Sequence, residues 1–318
     1  MSKGSFPRFP GSQGGSGTPL LVAVAAVVTA GLLGWLLWGA NGGTADDGKR
    51  PAAAAASSAA PSAHRTSPSP EPRTSAPERP SPSAPAAEGT PGSGGPLKGK
   101  VVVVDPGHNI HNSEHTAEID RSVDIGTGRK ECDTTGTSTD AGYPEATFSL
   151  DVAHRIRELL QEQGAEVRLT HDGDRPYGPC VDERAEIGNK AHADAAVSVH
   201  ADGAAVGDRG FHVILPAAVK GGRADTGPIA GPSKELGERI AGTFVRTTGS
   251  APSNYIGGGT GLDTRSDLGG LNLSTVPKVF IECANMRDPQ DAALLTDPAW
   301  RQKAAQGIAN GVADFLRR

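Results

Sequence analysis

VVVVDPGHNI, residues 101–110, runs four β-branched apolar residues straight into an acid, a proline, a glycine and a histidine. A continuous apolar run without polar alternation predicts a strand covered on both faces, the environment of a parallel sheet. Pro106 and Gly107 then predict a turn, so a histidine stands where the strand leaves the sheet. In open α/β sheets the crevice beyond the carboxyl ends of the strands is where ligands bind.

Strand and helix signals alternate downstream. Pro144 and Glu145 open a helix that continues ATFSLDVAHRIRELLQEQ and stops at Gly164, with Phe148, Val152, Ile156 and Leu159 as its buried stripe. AEVRLT (165–170) predicts a second strand and VDERAEIGNKAH (181–192) a helix. AAVSVH (195–200) is a strand that again ends on histidine, and GFHVILP (210–216) is another. SKELGERIAGTFVRTTG (233–249) predicts an amphipathic helix, VPKVFIECA (276–284) the last strand, and Pro298–Leu316 the closing helix. This alternation predicts an α/β fold: a single three-layer domain with a mostly parallel mixed sheet flanked by helices. Residues 109–143 are rich in Gly, Thr and Asp and lack periodicity, which predicts a long loop or hairpin insertion of functional or disordered character.

That head, residues 98–318, follows a very different N-terminal region. Leu20–Trp38 is an uncharged run of 19 residues, which spans about 28 Å as a helix and matches the hydrocarbon core of a bilayer. Residues 20–40 are accordingly expected to be a transmembrane signal-anchor helix. Lys3 and Arg8 precede it and Asp46 and Asp47 follow it, so the tail 1–19 is expected in the cytoplasm and the head outside. The alternative is a secreted protein, released by cleavage of the N-terminal segment. Residues 41–97 are Ala, Ser, Pro and Gly with scattered charge, a composition that buries too little apolar surface to fold, and are expected to be a disordered linker.

The formal net charge of −5 among 318 residues argues against a nucleic-acid partner, which calls for a basic stripe. Of the three cysteines, Cys132 (KECDTTG) and Cys180 (YGPCVDE) lie in loop-like stretches and are candidates for a disulfide in an exported domain. Cys283, inside VFIECA, reads as a small buried hydrophobe.

Three strands deliver polar side chains at or near their carboxyl ends: His108, His200 and Glu282. Glu145 sits in the first turn of a helix, where a carboxylate also serves the helix dipole. Each alone has an ordinary structural explanation, as a loop histidine, a satisfied strand-end histidine, a paired buried carboxylate or a helix cap. Together, two histidines and a carboxylate form a standard donor set for a catalytic zinc, and a further carboxylate near such a metal takes the proton from its bound water.

Four ordered blocks, VVVVDPGHN, YPEATFSLDVAHRIRELL, DERAEIGNKAHADAAVSVHADG and VPKVFIECANMRDPQDAALL, resemble the zinc-dependent N-acetylmuramoyl-L-alanine amidases of the type-3 catalytic domain, and within them the actinobacterial or mycobacterial branch. The resemblance covers the whole head. It implies His108, Glu145 and His200 as zinc ligands, Glu282 as general base and Asp105 as a supporting group near the metal. Arg184 and Arg265 match arginines of such domains, with either a buried carboxylate or the substrate as partner. The implied activity is hydrolysis of the amide between N-acetylmuramic acid and L-alanine in peptidoglycan, by a head expected to be monomeric and tethered to the cytoplasmic membrane. The alternatives are a zinc peptidase acting within the stem peptide, and a non-catalytic wall-binding head. The 36 residues between His108 and Glu145 exceed the shorter glycine-rich stretch common in the family.

Overall fold

The computed structural model describes residues 94–318. The expected tail 1–19, the membrane segment 20–40 and nearly all of the linker lie outside the described residues, among which no helix is long and apolar enough to cross a membrane. The last residues assigned to the linker belong to the head instead. Leu97 is fully buried and its N–H donates to the Gln163 carbonyl at 2.9 Å. Gly95 lies so close to the same residue that a Cβ would stand 2.0 Å from its oxygen.

The chain opens with β1 (Val101–Pro106), followed by the insertion, which holds a short helix α1 (Thr116–Ile119) and a hairpin of β2 (Ser122–Asp124) and β3 (Arg129–Glu131). Then come α2 (Glu145–Glu162), β4 (Glu166–Leu169), α3 (Val181–Lys190), β5 (Ala195–Asp202) and β6 (His212–Pro216). A small ribbon, β7 (Lys220–Gly221) and β8 (Ala224–Asp225), leads to α4 (Gly227–Thr248). The chain ends with β9 (Leu262–Arg265), α5 (Gly269–Asn272), β10 (Lys278–Asn285), α6 (Pro289–Thr296) and α7 (Pro298–Leu316).

The six-stranded sheet has the order β4-β1-β5-β10-β6-β9. All neighbours are parallel except β10 and β6, so β6 and β9 run against the other four and the sheet is mostly parallel and mixed. Alternate residues of each strand serve opposite faces. Val102, Val104, Val197, Val199, Val279 and Ile281 join α2, α4 and α7 in the main core. Val103 and Ala196 pack with Ala191 and Val276 on the other face, where Phe280 and Ile214 meet Leu271 of α5. That face is thinly covered, and its thin end holds the site.

Helices α4 and α7 approach closely because α7 carries glycine at the crossing. A Cβ on Gly311 would fall 2.5 Å from the Ile240 Cα, and one on Gly307 3.0 Å from that of Phe244. Three elements differ from the sequence reading. The stripe of α2 is Phe148, Val152, Ile156 and Leu160, a strict i+4 row, with Leu159 only half-buried at its edge. Helix α4 starts at Gly227 rather than Ser233, since Pro228 sits in its first turn, where no backbone N–H is needed. Edge strand β9, within GLDTRSD, has no apolar β-branched run to announce it and pairs only with β6.

Candidate metal centre

The turn after β1 is shaped by what must pass beside it. A Cβ on Gly107 would lie 2.3 Å from Cε1 of His200, so only glycine leaves room for that ring. His108 follows with φ +60°, a left-handed conformation uncommon outside glycine. Arg184 of α3 holds it there: its guanidinium donates to the carbonyls of Pro106 (2.7 Å) and His108 (3.0 Å). Ser149 of α2 donates to the Gly107 carbonyl at 2.6 Å.

His108, Glu145 and His200 are brought together. Glu145 Oε1 lies 3.2 Å from Nε2 of His108 and 2.9 Å from Nδ1 of His200, and one ligand atom from each residue lies within 4.8 Å of the other two. Zinc bonds of 2.0–2.1 Å in a tetrahedron separate the ligand atoms by about 3.3 Å, so the spacing fits a small divalent cation. The electrostatics fit as well. Burial disfavours charge on the His108 ring, yet Glu145 and Asp133 beside it hold its pKa well above the ordinary value. Burial likewise opposes charge on Glu145, and the two histidines nevertheless pull its pKa far below the usual carboxylate range. The pocket thus selects for positive charge at its centre.

Each ligand has a second partner that fixes its orientation. Glu145 Oε2 accepts from the Thr137 N–H at 2.9 Å while the Glu145 N–H donates to the Thr137 carbonyl at 3.0 Å. Nδ1 of His108 faces the Thr134 carbonyl at 3.1 Å and Asp133 Oδ1 at 3.4 Å. The His200 ring stacks on Phe280, with centroids 5.2 Å apart. Asp133, Thr134 and Thr137, together with Gly136, whose Cβ would press on His108 and Glu145 at 2.8–2.9 Å, all come from the insertion. Sequence reasoning passed over them because CDTTGT carries no periodicity. The expectation that a metal-bound histidine donates its other N–H to a carboxylate or carbonyl is the signal that points to this stretch.

Asp105 does not touch a ligand. It is fully buried beneath β1, where Oδ1 accepts from Thr170 and Arg184 (both 2.7 Å), and Oδ2 from Ser198 (2.8 Å) and Lys278 (3.3 Å). Its support reaches His108 through Arg184, whose second Nη donates to Asp133 at 2.8 Å. Arg184 is therefore a buried arginine paired to two carboxylates. Arg265, half-buried, is held by Asp267 at 2.7–2.8 Å, which also accepts from Lys130 of the insertion.

Glu282 stands beside His200 in the β5–β10 register and beside His212 in the β10–β6 register, so all three side chains emerge on the thinly covered face. It lines a cleft of about 320 Å³ with His108, Glu145, His200, Asp202 and Arg265. Its Oε2 is buried without a hydrogen-bond partner. Burial, then repulsion from Glu145 and Asp202, pushes its pKa well above the ordinary carboxylate value, which makes it a carboxylate with a strong pull on a proton. Cys132 and Cys180 form a disulfide, with Cα atoms 4.3 Å apart; Cys283 is free and buried.

Residues 102–314 match the family model described as N-acetylmuramoyl-L-alanine amidase. The chain is 42% identical over 225 residues to the N-acetylmuramoyl-L-alanine amidase Rv3717 of Mycobacterium tuberculosis, a match covering 69% of this chain and 88% of the relative. It is 28% identical to AmiA of Escherichia coli, over 68% and 76% of the two chains. Among solved structures, the amidase Ami1 of Mycobacterium smegmatis superposes with a TM-score of 0.63 at 40% identity, covering 69% of this chain and 98% of that one. Ami1 of Mycobacterium abscessus gives the same TM-score and identity, covering 69% and 99%.

Proposed function

Because the chain belongs to the N-acetylmuramoyl-L-alanine amidase family and carries the His–Glu–His group of a metal site, we propose that it cleaves the N-acetylmuramic acid–L-alanine amide of peptidoglycan with zinc at that site and Glu282 as general base. The convergence of His108, Glu145 and His200 on one point is the observation that carries this reading. His108 would bind through Nε2, His200 through Nδ1 and Glu145 through Oε1.

A zinc ion held by His108, Glu145 and His200 would supply Lewis-acid chemistry, lowering the pKa of water toward about 7 and polarising the scissile carbonyl. Glu282 accepts the proton that water loses as its oxygen attacks the lactyl carbonyl carbon. The C–N bond then breaks, and Glu282 returns that proton to the departing nitrogen of L-alanine. The lactyl group leaves as a carboxylic acid and the stem peptide as a free amine. Arg265, facing the same cleft, is positioned for the anionic oxygen or a substrate carboxylate.

The head works outside the cytoplasm, on a tether that starts at residue 41 and ends before residue 94, and on the anchor 20–40. The disulfide supports an oxidising compartment, and the length of the apolar run supports the anchor. Digesting purified muropeptides with the zinc-loaded protein tests the activity by mass. Lactyl-terminated glycan and intact stem peptides are expected; shortened stems would instead mark a peptidase. Fractionation of cells with a tagged chain tests the location, with the tag expected in the membrane.

A further inference from the structure

The hairpin of the insertion carries Lys130 to the metal centre. Lys130 lines a pocket of about 220 Å³ with Val181, Asp267, Leu268 and Phe280. This pocket and the cleft of Glu282 share His108, Thr134, His200, Leu268 and Phe280, so the two open side by side at the ligands. Helix α5 fixes the hairpin in place. Thr127 Oγ1 accepts from Asn272 Nδ2 at 3.0 Å, and a Cβ on Gly269 would stand 2.6 Å from Cγ2 of Ile125. Lys130 is opposite Val123 in the hairpin register, on the face that is buried against Cys132 and Cys180, while Arg129 and Glu131 belong to the other face of the ribbon.

Two cations share one carboxylate here. Asp267 accepts from Arg265 Nε and Nη2 at 2.8 and 2.7 Å and from Lys130 Nζ at 2.9 Å. Among the described residues neither cation has a second ion pair. Asp263 and Glu282 act on Arg265 from farther off, so the unmatched positive charge lies at Lys130. An ammonium carries more N–H donors than the one given to Asp267, and 41% of the Lys130 side chain is exposed, so an incoming anion can reach it. The apolar walls of Phe280, Leu268 and Val181 keep water from one side and strengthen such a contact.

In a peptidoglycan stem the residue after L-alanine is a γ-linked D-glutamate, whose α-carboxyl is a free acid in some walls and an amide in others. Extended, that carboxyl lies about 5 Å beyond the nitrogen released by the cut, the scale of a pocket that begins at the zinc ligands. We propose that Lys130 is a specificity-determining residue of the amidase: it binds the α-carboxylate of the second stem residue and so favours the free acid over the amide. The proposal rests on the amidase reading and gives the insertion a task which that reading leaves open. The free acid brings the negative charge that Asp267 cannot give to both cations; the amide brings none, and its NH₂ turns a donor toward the ammonium. Arg265, bound to Asp267 through two N–H groups, is the less available of the two cations.

The test measures, by calorimetry on the zinc-loaded full chain, the binding of L-alanyl-D-glutamate and of L-alanyl-D-isoglutamine. Both carry the γ-carboxyl as its methylamide, so that they differ at the α-carboxyl alone. The acid is expected to bind about three- to tenfold more tightly. That preference should shrink as ionic strength rises, disappear in Lys130→Gln and return in Lys130→Arg. A hairpin loosened by loss of the Asp267 contact would weaken both peptides alike, so the ratio separates recognition from structure. Equal affinities in the parent overturn the proposal, and so does a preference kept in Lys130→Gln, which would put the carboxylate on the zinc or on Arg265. Cleavage of intact muropeptides, followed alongside, tests the amidase reading by itself. Its absence beside a Lys130-dependent preference overturns that reading alone; a missing preference beside normal cleavage overturns this inference alone.

Discussion

The Asp133 carboxylate stands 3.4 Å from Nδ1 of His108, and its other oxygen receives the Arg184 guanidinium. A row of contacts, Asp105, Arg184, Asp133, His108, therefore runs along the thinly covered face of the sheet to the metal centre. Asp133→Asn keeps the hydrogen-bonding shape and removes the charge. Zinc affinity should fall about 10- to 100-fold, read by competition with a calibrated chelator, while the far-ultraviolet spectrum stays that of the parent.

Glu282→Gln separates proton transfer from metal binding. Zinc content should remain at one equivalent per chain, because Glu282 is not among the three converging ligands. Turnover of muropeptides should fall by about 10²- to 10⁴-fold. Elemental analysis and product mass on the same preparation check both halves; undiminished turnover would remove Glu282 from the role of general base.

Arg184 is the partner of two buried carboxylates, so Arg184→Met leaves Asp133 without its cation and Asp105 with Lys278 alone. A loss on the order of 3–5 kcal/mol is expected in urea denaturation, the range for breaking one side of a buried pair. The same network sets the acid limb. Burial would raise the pKa of Asp105, but Lys278 and Arg184 hold it far below its ordinary 3.8. A carboxyl depressed by folding adds stability in full above that ordinary value and loses it as pH falls below it. Stability measured between pH 2 and 7 should therefore drop steeply below about pH 4, and Asp105→Asn should be less stable at pH 7 with a shallower acid limb.

The Cys132–Cys180 bridge spans 48 positions and ties the start of α3 to the residue that precedes Asp133. Beside it, the Val181 N–H at the start of α3 donates to the Cys132 carbonyl at 2.7 Å. Replacing both cysteines with serine should cost about 4 kcal/mol on the chain-entropy account, measured by denaturation. Zinc should also dissociate faster, since Asp133 loses its anchor; chelator-driven release followed with and without reductant checks this.

Much of the site was legible because it obeys strand grammar. VVVV declares a doubly covered strand, and His108, His200 and Glu282 each stand at a strand's carboxyl end, where α/β sheets keep their ligands. Glu145 was legible as a helix start, though only the fold brings it to the histidines. What stayed hidden depends on long-range closure. Asp133 lies in a segment without periodicity and is brought to His108 by distant partners, Arg184 and Asn112 among them. Strand β9 lacks apolar alternation because it is an edge, and Leu97 stands alone after a polar stretch, so neither announces its burial. Asp105 looked like support for the metal; its side chain points beneath β1, where Lys278 and Arg184 wait, and it acts only through the second of these.

The left-handed backbone at His108 bears on how the ligands can be compared by mutation. At φ +60°, alanine or a β-branched residue would disturb the peptide whose carbonyl Arg184 grips, so a loss of function there would mix a missing ligand with a displaced turn. Asparagine tolerates this conformation and glycine adopts it freely. The pair His108→Asn and His108→Gly isolates the imidazole, whereas His200, on an ordinary extended strand, can be replaced by alanine without that confusion.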